Sequence, residues 1–390
     1  MRKGGLVAAV LLILFSAGGC WSRKEPNEIA IVQAMGLDRK ENRIWLTVQI
    51  VRPQAITVPG GAGGAMPRVK PVWTIAVSGS TPFEAVRNLG LVIPRHPIYS
   101  HARVLVVGED LARSGLYPVL DRYSRSVELR LNTWVFVAPG EARRLLQPEE
   151  GELERMPGEQ IEGLIRGIRW QAKGFPVRIY EFLDAFAAED EEPFLPLLQL
   201  ANQQEKSLPP RAAFSLRGTG IFKKDKLVGF FDERETRGLL FLRGVVRGEG
   251  SVVVPCPKHP EKKVSLRLVR ARSKITPLVL NDRLRVLVEV DEEGDLAQQD
   301  YPALLNEPTE FRALERRFAE ATRQEILAAV RRARALNSDC LGFGAAFHRK
   351  YPKEWRTLKR NWDQWFPRIE VEVRVKARLR RTGLIVEPLM

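Results

Sequence analysis

Three cysteines and four histidines among 390 residues leave little material for metal or redox chemistry. The chain has no Gly-x-Ser-x-Gly elbow, His-Glu-x-x-His pair, P-loop or dinucleotide fingerprint, which excludes the common hydrolase, metalloprotease and nucleotide sites. His96 and His101 are separated by Pro97 and do not share a helical face. Cys256, His259, Cys340 and His348 show no standard ligand spacing. Glu152 and Glu154, like Asp190, Glu191 and Glu192, read as charge runs rather than an acid–base pair. The expectation is a protein with no catalytic residues, no metal and no cofactor.

Long apolar runs are also scarce. The longest, Leu6–Phe15, is ten residues, about half of what a membrane-spanning helix needs. It follows Arg2 and Lys3 and precedes Ser16-Ala-Gly-Gly-Cys20, the pattern of a secretory signal with small residues before a cut site. A cysteine directly after those residues marks a lipoprotein signal, although Ala17 stands where Leu or Val is commoner. Residues 1–19 are therefore expected to be removed. Cys20 would become the first mature residue, carrying a diacylglycerol thioether and an N-acyl group, with residues 20–27 as a lipidated leader. Two acyl chains suffice for stable anchoring, so the mature chain is expected on the outer face of the cytoplasmic membrane. A plain cleaved signal with an incidental cysteine is the alternative. With Cys20 spent on lipid, Cys256 and Cys340 are expected as two small buried thiols, and pairing between them stays open.

The remaining composition, 44% hydrophobic and 28% charged, is that of a folded protein of two or three domains. The formal charge of +15 falls to +13 once Arg2 and Lys3 are removed, and residues 311–390 carry 19 basic against 9 acidic side chains. An exported lipoprotein rarely meets nucleic acid, so this basic end suits either an anionic membrane surface or a solvated face.

Alternation over Arg43–Val51 and Val72–Ser78 predicts half-buried strands. Residues 58–67, rich in glycine, predict a mobile loop between them. Thr81-Pro-Phe-Glu84 is a capping box that opens a helix through Leu91. Val104–Val107 is a buried strand, and a helix capped by Asp110 runs toward Arg125. Another strand over Asn132–Val137 and a short helix from Gly140 to Gln147 complete an alternating α/β pattern. Residues 150–210 read as helical and polar, and Ser207-Leu-Pro-Pro210 as the main boundary. Strands are then expected over Ala213–Lys223, Leu239–Val246, Ser251–Val254, Lys263–Ile275 and Arg283–Val290. A long helix follows from Thr309 to Leu336, and a closing strand from Ile369 to Arg380. The predicted class is α+β and multi-domain, with mixed and antiparallel sheets packed with helices. Its N-terminal α/β region spans 28–205, of which 150–205 could instead join a middle domain. Its C-terminal α+β domain, 211–390, lays one long helix on a largely antiparallel sheet. Trp355, Trp362, Trp365 and Phe366 read as core, with a membrane- or partner-facing belt as the sharper alternative.

Gly19-Cys-Trp21, Met35-Gly-Leu-Asp38, Leu46–Pro53, Thr81–Arg87 and Pro94–Gly108 are similar to blocks of the Ger(x)C family of spore germination lipoproteins. So are Gly218–Gly229, Glu235–Leu240, Asp339–Gly344 and Trp355–Phe366. Ser126 stands where an Asp is usual, and Cys340 where an aliphatic residue is expected. The resemblance implies the C subunit of a GerA-type nutrient germinant receptor with a three-domain α+β fold. It further implies a lipid anchor on the outer face of the spore inner membrane, and assembly with a channel-like A-type and a permease-like B-type integral subunit. A free-standing lipoprotein that binds a solute or cell-wall glycan is the competing expectation.

Overall fold

A computed structural model describes residues 25, 27–56, 70–147, 154, 156–201, 214–280, 283–300 and 308–380. The glycine-rich stretch 58–67 and the Ser207–Pro210 boundary lie outside them.

The first sheet begins with β1 (Ile29–Lys40) and β2 (Arg43–Val51), an antiparallel hairpin whose two-residue turn places Glu41 and Asn42 at φ 51° and 59°. Positive φ at both turn residues matches the twist of the flanking strands. β3 (Val72–Gly79) extends the sheet antiparallel beyond β2. On the other side of β1, β5 (Val104–Gly108) and β6 (Trp134–Ala138) add in parallel. Both are buried throughout, which explains their unbroken apolar runs: helices cover both faces of a parallel core. The short β4 (His96–Ile98) pairs in parallel with the first residues of β1.

Helix α1 (Pro82–Leu89) starts where the capping box places it, with Thr81 Oγ1 accepting from Glu84 N at 3.1 Å, and ends two residues before the expected Leu91. The expected helix from Gly108 to Arg125 is two helices, α2 (Glu109–Ser114) and α3 (Tyr117–Ser124). Gly115, at φ 120°, breaks them apart, and Asp110 lies in the first turn because Gly108 occupies the cap. α4 (Ala142–Leu146) follows β6, and α5 (Pro157–Gln171) and α6 (Ile179–Ala187) supply the helical part of 150–210.

The rest of that stretch is a correction. Phe194–Leu200 is a strand, β7, parallel to β6 through Val137 and Leu197 and antiparallel to β8 (Phe214–Lys223). An apolar run this short does not reveal its period, and the neighbouring strands decide it. β9 (Lys226–Phe231), not foreseen as a separate strand, folds back on β8. The path β3-β2-β1-β5-β6-β7-β8-β9 is therefore one sheet.

Leu239–Val246, expected as a strand, is instead the end of helix α7 (Glu233–Leu242) followed by a turn. Asp232 accepts from Glu235 N at 2.7 Å and Glu235 accepts from Asp232 N at 3.0 Å, a reciprocal cap that starts the helix upstream of its apolar run.

The second sheet runs β10 (Arg247–Pro255), β11 (Lys263–Leu280), β12 (Arg283–Gln299) and β13 (Glu370–Leu379). Its first two pairings are antiparallel and the last is parallel. β11 and β12 are longer than their alternating cores suggested. Pro277 fits inside β11 because β10 pairs only as far as Arg270, leaving that side unladdered. The long helix α8 (Pro308–Leu336) buries Leu314, Phe318, Ile326, Ala329, Val330 and Ala333 against the fold. One core, from Ala30 to Leu379, joins a face of the first sheet to the second. A smaller core on the opposite face packs Val104, Val106 and Phe136 against Ile161, Ile165 and Ile168 of α5.

Candidate functional site

Cys20, the expected lipidation residue, lies outside the described residues. The strand that would receive its tether is held firmly. His96 N donates to Glu28 O at 2.8 Å, and Ile29, Ala30 and Ile31 pair with His96, Pro97 and Ile98. Seven residues lie between Cys20 and Glu28, and the eight steps along the chain reach about 29 Å when fully extended.

A second concentration of unusual side chains joins the two halves of the chain around Asp339. This residue is buried, yet it makes a full set of contacts. Its Oδ1 accepts from Phe343 N at 3.1 Å, and its Oδ2 accepts from Gly344 N at 2.6 Å and from Trp362 Nε1 at 3.1 Å. Burial pushes its carboxyl up to about 7, while the three donors pull the other way. The donors come from α9 (Phe343–Lys350) and from the helical turns after α10 (Pro352–Leu358). Phe343, Phe347, Trp355 and Phe366 pack there as buried core, with Trp362 4.9 Å from Trp355. Trp362 and Trp365 are half-buried.

The acidic run of residues 189–192 docks on this knot. Glu189 meets Lys359 Nζ at 2.6 Å, and Asp190 meets His348 Nδ1 at 2.7 Å. Glu191 accepts from Arg243 Nη1 at 2.7 Å, and Glu192 accepts from Lys224 N. The backbone closes the join, since Glu192 N donates to Asp339 O at 3.2 Å. Two glycines make the close approach possible. A Cβ on Gly344 would fall 2.4 Å from Asp190 O, and one on Gly342, at φ 81°, would fall 2.7 Å from Arg243 Nη1. A run that reads as plain surface charge is thus a clasp between the first half and the second.

Beside the clasp lies a cavity of about 580 Å³, lined by Phe175, Phe182, Phe194 and Leu240 with Glu181 and Arg243 among its polar groups. The Arg243 guanidinium sits 5.5 Å from the Phe194 ring centre. Three carboxylates, Glu181, Asp184 and Glu191, share its wall with Arg243, so the cavity pairs an aromatic floor with charged groups of both signs.

Cys256 and Cys340 are buried free thiols, and burial raises the Cys340 thiol far above its ordinary range, which makes it inert. Among the described residues no group of three His, Cys, Asp or Glu could hold a metal ion, and no helix is long and apolar enough to cross a membrane.

Residues 22–200 match the family described as spore germination protein N-terminal domain, and residues 217–383 match spore germination B3/GerAC like, C-terminal. Spore germination protein KC of Bacillus subtilis (strain 168) is 26% identical over 409 residues, covering 100% of this chain and 98% of that protein. Spore germination protein B3 of the same organism is 23% identical, covering 99% and 100%. The crystal structure of the GerBC protein superposes with a TM-score of 0.58 over 89% of this chain and 96% of that one, at 19% identity, and so shares its fold.

Proposed function

Because this chain belongs to the GerAC family of spore germination proteins, we propose that it is a lipid-anchored, non-enzymatic subunit of a nutrient germinant receptor. The observation that carries this reading is the collinear match of both halves, 22–200 and 217–383, to the two parts of that family. Its relatives include spore germination proteins KC, B3 and A3 of Bacillus subtilis (strain 168). In this reading Cys20 carries the diacylglycerol, and the body stands on the outer face of the spore inner membrane. Its partners there are the channel-like A-type and permease-like B-type integral subunits. The tether raises the effective concentration of the folded body at those partners without any new contact.

Cys20→Ala tests the reading. The variant should fold normally and fail to support nutrient germination, and normal germination by an unlipidated variant would contradict it. The cavity beside Arg243 favours a second reading, a solute-binding lipoprotein that works alone. Purification in mild detergent separates the two: two multi-span proteins should come with the chain in the first case and none in the second.

A further inference from the structure

The turn leaving α1 presents two large apolar side chains to solvent. Leu91 is 85% exposed and Val92 54%. The turn is well built. Leu91 N donates to Asn88 O at 3.1 Å, while Val92 N and Ile93 N both donate to Leu89 O, at 3.0 and 3.1 Å. Ile93 points inward and is buried. This backbone holds Leu91 and Val92 outward.

Three residues on, Arg95 is exposed, and His96 pairs with Ile29 at the start of β1. The apolar pair therefore sits beside the strand to which the Cys20 leader is joined. Charge favours the same face. From Ala85 to Gly108 there is no Asp or Glu, and Arg87, Arg95 and Arg103 occur. Arg103 is engaged by Glu162 and Glu159, whereas Arg87 and Arg95 have no ion-pair partner among the described residues. From the neighbouring elements, Glu128 and Arg122 lie near Tyr99 together with Arg87. The leader adds Arg23 and Lys24 against Glu25, and Glu28 heads β1 beside His96, so the basic excess on this side is small.

We propose that Leu91 and Val92, flanked by Arg87 and Arg95, rest in the headgroup layer of the anionic membrane to which the chain is tethered. The proposal rests on the anchor reading and adds orientation to it. A lipid on a leader limits distance and leaves the body free to tumble. A second contact of apolar side chains with basic neighbours fixes which end faces the bilayer. Val127, fully exposed next to Glu128 in the loop near Tyr99, belongs to the same end, whereas Leu280 at the end of β11 lies on the second sheet.

The test labels Leu91→Cys with an environment-sensitive fluorophore in the full lipidated chain, reconstituted in phosphatidylglycerol–phosphatidylethanolamine vesicles. Leu280→Cys serves as the control, and the native Cys256 and Cys340 are buried. Brominated acyl chains should quench the label at 91 and leave that at 280 unaffected. A label at 91 that stays in water, on a chain whose intact mass shows acylated Cys20, would overturn the proposal and leave the anchor reading standing. Protection at 91 that needs integral partner proteins and shows no bromolipid quenching would overturn it too, in favour of a protein contact. The mature chain carrying Cys20→Ser reads the patch with no tether. Its partition onto the same vesicles should fall at least about tenfold with Leu91→Asp plus Val92→Asp. If intact mass shows native Cys20 bare, that loss still upholds the patch, and an unchanged partition rejects it.

Discussion

Thr322 Oγ1 donates to Glu292 Oε2 at 2.9 Å beneath the long helix, where Glu292 is 1% exposed. The other oxygen of Glu292, Oε1, has no hydrogen-bond partner among the described residues. β12 carries Glu292, α8 carries Thr322 and Glu325, and Arg237 reaches across from α7 to grip both oxygens of Glu325. Burial, reinforced by the Glu325 charge, pushes Glu292 up to about 8, against the pull of the Thr322 hydroxyl and Arg237. The carboxyl is therefore largely neutral in the folded protein at pH 7.

A raised folded value sets the sign of a pH effect. Above the ordinary 4.5, the unfolded chain has released a proton that the folded chain still holds. Stability from this group is thus fully present below about pH 4.5 and is lost as pH rises to about 8, where the folded form also ionises. Glu292→Gln cannot ionise and should lack that decline. Urea unfolding should find the variant close to the parent at pH 5 and more stable at pH 8.5, by about 2–4 kcal/mol. Equal gaps at both pH values would refute the assignment.

Arg237→Ala should be far more damaging than its position on a short helix suggests. It leaves the buried Glu325 carboxylate without its cation, a loss of about 3–5 kcal/mol. Arg237→Met combined with Glu325→Leu removes both charges and should recover most of it. Denaturant midpoints of the single and double variants measure the difference.

The crossing of α7 over α8 depends on Gly238. A Cβ there would lie 2.2 Å from Glu325 O and 2.9 Å from the Ala329 side chain. Gly238→Ala should therefore destabilise by about 1–3 kcal/mol or more through overpacking. Gly163→Ala in α5, where nothing lies within 4 Å of the added carbon, should instead stabilise by about 0.4–1 kcal/mol. Thermal melts of the pair read the contrast directly.

Asp339→Ala should strand the Phe343 and Gly344 amides and the Trp362 indole N–H together. The expected cost is about 3 kcal/mol or more, since buried donors are left unpaired. Tryptophan fluorescence should shift in the folded variant, because Trp362 loses its acceptor. An unchanged spectrum and unchanged stability would show the knot to be dispensable.

Local chemistry made much of the fold legible. β2, β3, β12 and β13 are written in period-two alternation, and Thr81 with Glu84 announces α1 within a residue of its start. What failed to read was set by neighbours far away in the chain. Phe194–Leu200 is a strand because β6 and β8 flank it, and Leu239–Leu242 is helical because Asp232, seven residues upstream, caps it. The α+β class and the GerAC resemblance could both be read from residue blocks. The clasp could not: nothing in Glu189-Asp-Glu-Glu192 names Lys359, His348, Arg243 or the Lys224 amide as partners. The cap at Asp232 and Glu235, by contrast, is written in the sequence, although the apolar run after it favours a strand.

The pairing of β7 with β8 has a consequence for ancestry. Although residues 22–200 and 217–383 are recognisable as separate family segments, a hydrogen-bonded ladder from Phe194–Leu200 to Phe214–Ile221 stitches them together. Recombination between paralogues at that junction would have to inherit a matching register along with each segment. A hybrid that swapped one segment alone would bare a sticky strand margin, so the two segments are expected to have diverged as a pair.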